Sequence, residues 1–158
     1  LLLREAGADK EKLLRAADFY VNHIRHVFTV STLRYLIKGG RLSKWKGTAG
    51  ELLDMKPVLI VDKDGSLQVL KTIRGRKKSL KALIEYVQEN IADPSRQIMG
   101  ICHGEDPDSL KYTKDLLLQA VSPKELVEST IGCAIGAHTG RGIIGIVFFD
   151  AMDDEFDV

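Results

Sequence analysis

The amino-acid sequence predicts an α/β domain built on a mixed β-sheet of about six strands, with helices packed on it. Strand-like apolar runs alternate with helix-like amphipathic stretches, the pattern of a sheet covered by helices. Two of the runs, Lys56–Val61 and Leu67–Ile73, flank Asp62-Lys63-Asp64-Gly65. That turn signal makes a β-hairpin and so brings antiparallel pairing into the sheet. The 158 residues are 44% hydrophobic and 28% charged, enough to bury one core. With no internal repeat or low-complexity linker, residues 1–158 read as a single domain.

From the start, Asp9 to Val27 has helical spacing, with Leu13, Ala17, Tyr20, Val21 and Ile24 on one face and Lys10, Lys12, Arg15 and Asn22 on the other. Phe28–Val30 is a short β-prone run. Ser31 or Thr32 can cap the next helix, which ends at Gly39-Gly40 with Lys38 where the dipole favours a cation. Ser43 can cap another, reaching about Met55. Gly47 and Gly50 stand inside it, and interior glycines cost about 1 kcal/mol each against alanine, which implies close approach of a backbone or ligand. After the hairpin, Arg76–Ile91 is the clearest helix, with Leu80, Leu83, Ile84, Val87 and Ile91 on one face. Gln97–Cys102 reads as a buried strand. Pro107 opens a helix to about Val121 with Leu110, Leu117 and Val121 inward, and Glu125–Thr130 is a further strand. Ile131–Gly142 is a glycine-rich connection with about one helical turn, and Ile143–Phe149 is the buried last strand. The acidic tail Asp150–Val158 is expected to fray.

Several function classes are set aside by composition. No apolar run approaches the ~18 residues of a membrane-spanning helix, and the opening LLLREAG lacks the length and basic flank of a signal peptide. A net charge of +1 gives no global attraction to nucleic acid or an anionic membrane. Cys102 and Cys133 make no disulfide framework, so a cytoplasmic location is expected. The sequence opens without an initiator Met, as a fragment of a longer protein would.

Chemistry is most readily carried by Gly136-Ala137-His138-Thr139-Gly140-Arg141-Gly142. Three glycines in seven residues let backbone N–H groups turn toward a ligand, His138 can donate to a carboxylate or phosphate, and Thr139 adds a hydroxyl. The competing reading is a flexible connection with an exposed histidine. No Gly-Lys-Ser/Thr follows, so it is not a Walker loop. Gly39-Gly40-Arg41 either terminates a helix or aims Arg41 into a site. Arg74-Gly75-Arg76-Lys77-Lys78 sets four cations at a strand–helix junction, where the dipole disfavours them by a few tenths of a kcal/mol each; it is either a solvated helix start or an anion site. Cys102 and His103, adjacent on a strand, point to opposite faces and cannot pair. His23 and His26, three apart, have no third ligand, so no metal site is expected.

Together, Thr32–Leu80, which runs from TLRYLIKGGR through LLDMKPVLIV to IRGRKKSL, and IGCAIGAHTGRGIIGIVF (Ile131–Phe148) resemble the C-terminal domain of the bacterial DegV family of fatty-acid-binding proteins. The resemblance implies a DegV-like fold and a bound long-chain fatty acid, its tail in a pocket and its carboxylate where two domains meet. His138 and Thr139 match the family's closing-loop His-Thr, with Gly136 and Gly140 beside them; Arg74 matches the first Arg of RGR and Arg41 the Arg of GGR. It further implies that the chain is the C-terminal lipid-binding domain of a two-domain protein. The absent N-terminal domain would supply Ser and Thr contacts to the head group. The expected role is a carrier without catalytic residues or cofactor, presenting the acid to a separate fatty-acid kinase, with Arg76 and Lys77 as docking cations. Arg141 departs from the family, which usually has Pro there, and adds a cation near the anion site. The alternative is a phosphotransferase-like domain acting on a phosphorylated small molecule, against which stands the lack of an acidic cluster for Mg²⁺ beside the loop.

Overall fold

The computed structural model describes residues 2–42 and 55–156. The chain forms α1 (Leu2–Glu5), α2 (Lys10–His23), β1 (Ile24–Thr29), α3 (Arg34–Lys38), β2 (Met55–Val61), β3 (Leu67–Arg74) and α4 (Arg76–Asn90). It continues with β4 (Ile98–His103), α5 (Pro107–Ala120), β5 (Glu125–Thr130), α6 (Cys133–Thr139) and β6 (Ile144–Phe149). Single 3-10 turns lie at Pro94–Arg96 and Asp154–Phe156. The helix expected over 43–55, with Gly47 and Gly50, lies outside the described residues except for Met55, which opens β2.

One sheet of six strands, in the order β3-β2-β1-β6-β4-β5, organises these elements. It is mixed, as the sequence implied: β4 and β5 are parallel, with α5 as the crossover such a pair requires, and the other pairings are antiparallel.

Alternation along the central strands sorts side chains onto two faces. Val27, Met99, Ile101, Ile144, Ile146 and Phe148 turn to the face under α4 and α5, where Leu80, Leu83, Val87, Leu110 and Leu117 meet them in the main core. Each such side chain contributes about 1.5–3 kcal/mol when removed from water. Phe28 and Leu59 turn the other way and pack with Val30, Leu33, Leu36, Leu42 and Ile143 around α3.

Two expectations are corrected at the ends of the chain. The first helix stops at His23 rather than Val27, because Ile24–Thr29 is hydrogen-bonded along its full length to Ile144–Phe149, and Val27–Thr29 also pair with β2. Asp9 caps the helix by accepting from the Lys12 N–H at 2.8 Å. Its buried stripe is Ala16 with Leu13, Phe19 and Tyr20; Ala17 and Val21, expected inside, are exposed. The acidic tail does not fray over its described part. Phe156 is buried against Leu3 and Ala16, and the Tyr20 hydroxyl donates to its carbonyl at 2.9 Å.

Candidate ligand site

Strand direction gathers the conspicuous loops at one end of the sheet. Thr29 pairs with both Val58 and Ile144, His103 with Ile144 and Thr130, and Arg74 with Met55. β1, β3, β4 and β5 therefore finish where β6 begins, which places the GGR, RGRKK and GAHTGRG segments around a common rim.

Beneath this rim, on the α3 side of the sheet, lies a trough of about 430 Å³, within the ~300–1,000 Å³ typical of small-ligand sites. Its floor takes alternate residues of three neighbouring strands: His26 and Phe28 from β1, Gly145 and Val147 from β6, and Cys102 from β4. Gly145 keeps that floor low, since a Cβ there would stand 3.0 Å from Cys102 Sγ and 3.6 Å from Phe28 Cβ. α6 forms a wall through Ile135, His138 and Thr139, and Arg41 closes one side. The surroundings are apolar apart from these few groups, the usual composition of a pocket that sheathes a hydrocarbon and orients one polar end.

His138 is held by an unusually close neighbour. Its Nδ1 is buried, without a hydrogen-bond partner, and a Cβ on Gly39 would overlap it. Gly39 has an ordinary φ of −79°. Its glycine is thus demanded by the imidazole and not by helix termination; Gly40, with φ +71° and open space around it, is the residue that turns the chain. The GGR and HTG motifs are in this way two halves of one contact. Thr139 is only 4% exposed, and its hydroxyl donates to the Ile135 carbonyl at 3.0 Å. Arg41 donates to the Gly39 carbonyl at 2.8 Å, which fixes its guanidinium near the trough.

The remaining expected residues are placed differently. Gly136 and Gly140 do not line the trough. The expected cradle of free N–H groups does not form, because the N–H of Gly136 donates to Gly132, that of Gly140 to Gly136 and that of Gly142 to Gly104. Two of these glycines serve close packing instead: a Cβ on Gly140 would stand 2.6 Å from the Tyr35 ring, and one on Gly142 would overlap Ser31 Oγ. Arg74 is exposed at the end of the outer strand and is not a lining residue. Arg141 points to solvent and pairs with Glu105 at 2.7 Å, so it adds no cation to the trough.

Arg76, expected as a docking cation, turns inward. It donates to the Asp106 carboxylate at 3.0 Å, to Ser109 Oγ at 3.3 Å and to the Gly142 carbonyl at 2.5 Å. Burial pulls its guanidinium below the ordinary arginine value, opposed by Asp106. Burial alone would raise Asp106, but the hydrogen bonds from Ser109 and the charge of Arg76 outweigh it and hold the carboxyl below its usual value. This network ties the starts of α4 and α5 to the loop before β6 and so positions the rim. Lys77 stays exposed, its Nζ 5.9 Å from the centre of the Tyr112 ring.

Sequence reasoning missed the floor. Helical spacing over Asp9–Val27 places His26 in a helix, yet Ile24, His26, Phe28 and Val30 alternate with Arg25, Val27 and Thr29, the period of a strand with two dissimilar faces. Cys102 and His103 do point apart: the thiol lies toward the Gly145 carbonyl at 3.6 Å and is pushed up by burial, whereas His103 Nδ1 accepts from the Asp106 N–H at 3.2 Å. Among the described residues, no group of three or more His, Cys, Asp or Glu could hold a metal ion, and no helix is long and apolar enough to cross a membrane.

Comparison with known proteins adds a family to this geometry. A family model described as "Uncharacterised protein, DegV family" matches residues 2–151. A DegV domain-containing protein of Clostridium acetobutylicum is 35% identical over 157 residues, covering 94% of this chain and 55% of its own length. The solved fatty acid binding DegV family protein of Streptococcus agalactiae is 31% identical with a TM-score of 0.81, over 92% of this chain and 51% of that one. The Streptococcus pneumoniae Fatty Acid Kinase (Fak) B3 protein, solved loaded with linoleic acid, has the same fold: TM-score 0.82 at 19% identity, over 94% of this chain and 52% of that one. The chain thus spans about half the length of the relatives it matches.

Proposed function

The chain belongs to the DegV family, and from that premise we propose that it binds a long-chain fatty acid, the tail lying in the trough and the carboxylate at the His138–Thr139 end. One observation carries this reading: an imidazole with a buried, unpartnered nitrogen stands at the wall of an apolar trough. The tautomer that leaves Nδ1 bare against Gly39 puts the proton on Nε2, the donor a carboxylate requires. A Thr139 hydroxyl that swings from the Ile135 carbonyl supplies a second donor, and Arg41 a nearby cation. Burying the tail contributes about 0.8 kcal/mol per methylene, so a dozen methylenes favour binding by about 10 kcal/mol before ordering costs. An unpaired carboxylate would cancel that gain; hydrogen bonds to it recover roughly 1.5–3 kcal/mol each.

In this proposal the chain is a carrier without catalysis of its own. It acts beside the remaining half of a two-domain protein, which adds donors to the head group, and presents the acid to a separate fatty-acid kinase. The S. agalactiae relative's description as fatty acid binding and the S. pneumoniae protein's description as part of a fatty acid kinase support it. The test is mass spectrometry of organic extracts from purified protein. Wild type is expected to carry fatty acid, and His138→Ala to retain several-fold less. Full retention by the variant removes His138 from the head-group role, and turnover of ATP or a sugar phosphate by the protein alone would favour an enzyme instead.

A further inference from the structure

The polar group on the trough floor is not accounted for by a site that sheathes a plain hydrocarbon. His26 faces the trough beside Val147, its partner on β6, and on the same side of β1 as Phe28. Among the described residues its ring nitrogens have no hydrogen-bond partner. Burial, and secondly the charge of Arg25, hold its imidazole below the ordinary value. At neutral pH it therefore presents one donor and one acceptor and no charge. Its depth follows from the register. His26 lies three residues along β1 from the Thr29–Ile144 pair that marks the rim, or about 10 Å into the trough at ~3.4 Å per residue. A saturated tail laid across it would displace water from both nitrogens and return nothing, a loss that a hydrogen-bonding ligand avoids.

We infer that His26 is a polar subsite for the acyl tail, so that the trough prefers a fatty acid bearing a hydroxyl at that depth over the unsubstituted chain. The inference rests on the fatty-acid reading and deepens it. The hydroxyl donates to one ring nitrogen or accepts from the other, whichever tautomer is present. Neighbouring polar groups do not substitute for His26: the Cys102 thiol lies toward the Gly145 carbonyl, and Gly145 and Val147 offer no side-chain partner.

Competition binding of stearic acid against a positional series of hydroxystearic acids, on the delipidated protein, tests this. At least one position is expected to bind about two- to tenfold more tightly than stearic acid, the worth of one added neutral hydrogen bond. His26→Phe should abolish that preference, so that no hydroxystearic acid binds the variant more tightly than stearic acid does. His26→Gln, which keeps a donor and an acceptor, should restore part of it and guards against a Phe variant that folds poorly. No preference at any position, or a preference that survives in His26→Phe, overturns the subsite but leaves fatty-acid binding intact. Failure of stearic acid and the whole series to bind overturns the fatty-acid reading itself.

Discussion

Gly39 and His138 stand 99 positions apart in the sequence yet share one volume, and this sets the sharpest expectation at the scale of single residues. Because the φ of Gly39 is ordinary, Gly39→Ala carries no backbone strain; its cost is the overlap with the imidazole. Overpacking of this kind costs about 1–3 kcal/mol, and here the group that yields is the proposed head-group anchor. The melting temperature should fall and the fatty acid retained on purification should fall with it. Gly40→Ala is the control: its φ of +71° makes alanine strained by about 1–2 kcal/mol, but nothing lies within 4 Å, so retention should hold. Equal retention by both variants would mean that the Gly39–His138 contact does not govern binding.

Between elements, the Asp106–Arg76 pair is the joint that fixes the rim, and its charge can be separated from its capping role. Asp106 Oδ1 accepts from the Ser109 N–H at 3.1 Å as the α5 cap, while Oδ2 faces Arg76. Asn caps as well as Asp, so Asp106→Asn removes mainly the charge. The expected loss is about 1–3 kcal/mol at neutral pH, the range for hydrogen bonds to charged groups left unmade. The sign of its pH dependence is set by the depressed folded-state value. The stabilisation is fully present above the unfolded carboxyl's ~3.9 and is lost as pH falls through the folded value. Urea unfolding should show wild type and variant converging in acid; a gap that stays constant down to pH 3 would contradict the role given to the charge. The same joint explains why Arg76 is a poor candidate for docking, a conclusion that four cations within five residues do not suggest.

At the scale of the whole molecule, the exposed half of the RGRKK segment is what a partner can reach. Lys77 is solvent-facing beside Tyr112 and distant in role from the trough. If it is part of the surface presented to a kinase, Lys77→Glu should leave fatty-acid affinity unchanged and lower kinase-dependent phosphorylation of the bound acid several-fold. Unchanged phosphorylation at low ionic strength, where such charges act most strongly, would take Lys77 out of that surface.

The sequence by itself determined the class of fold, the hairpin, the helices Arg76–Asn90 and Pro107–Ala120 and the last strand, because apolar periodicity and turn chemistry are local properties that long elements carry plainly. It also singled out His138, Thr139 and Arg41 as residues worth placing together. Tertiary structure alone decided where the first helix yields to β1, since helical spacing and a two-faced strand overlap in Tyr20–Val30 and only pairing with β6 and β2 resolves them. It alone turned the glycines of GAHTGRG from expected N–H donors into places of close approach, since glycine permits both and only its neighbours choose. His26 likewise emerged as part of the trough only when the register set it beside Val147, a relation between residues 121 positions apart that no local pattern contains.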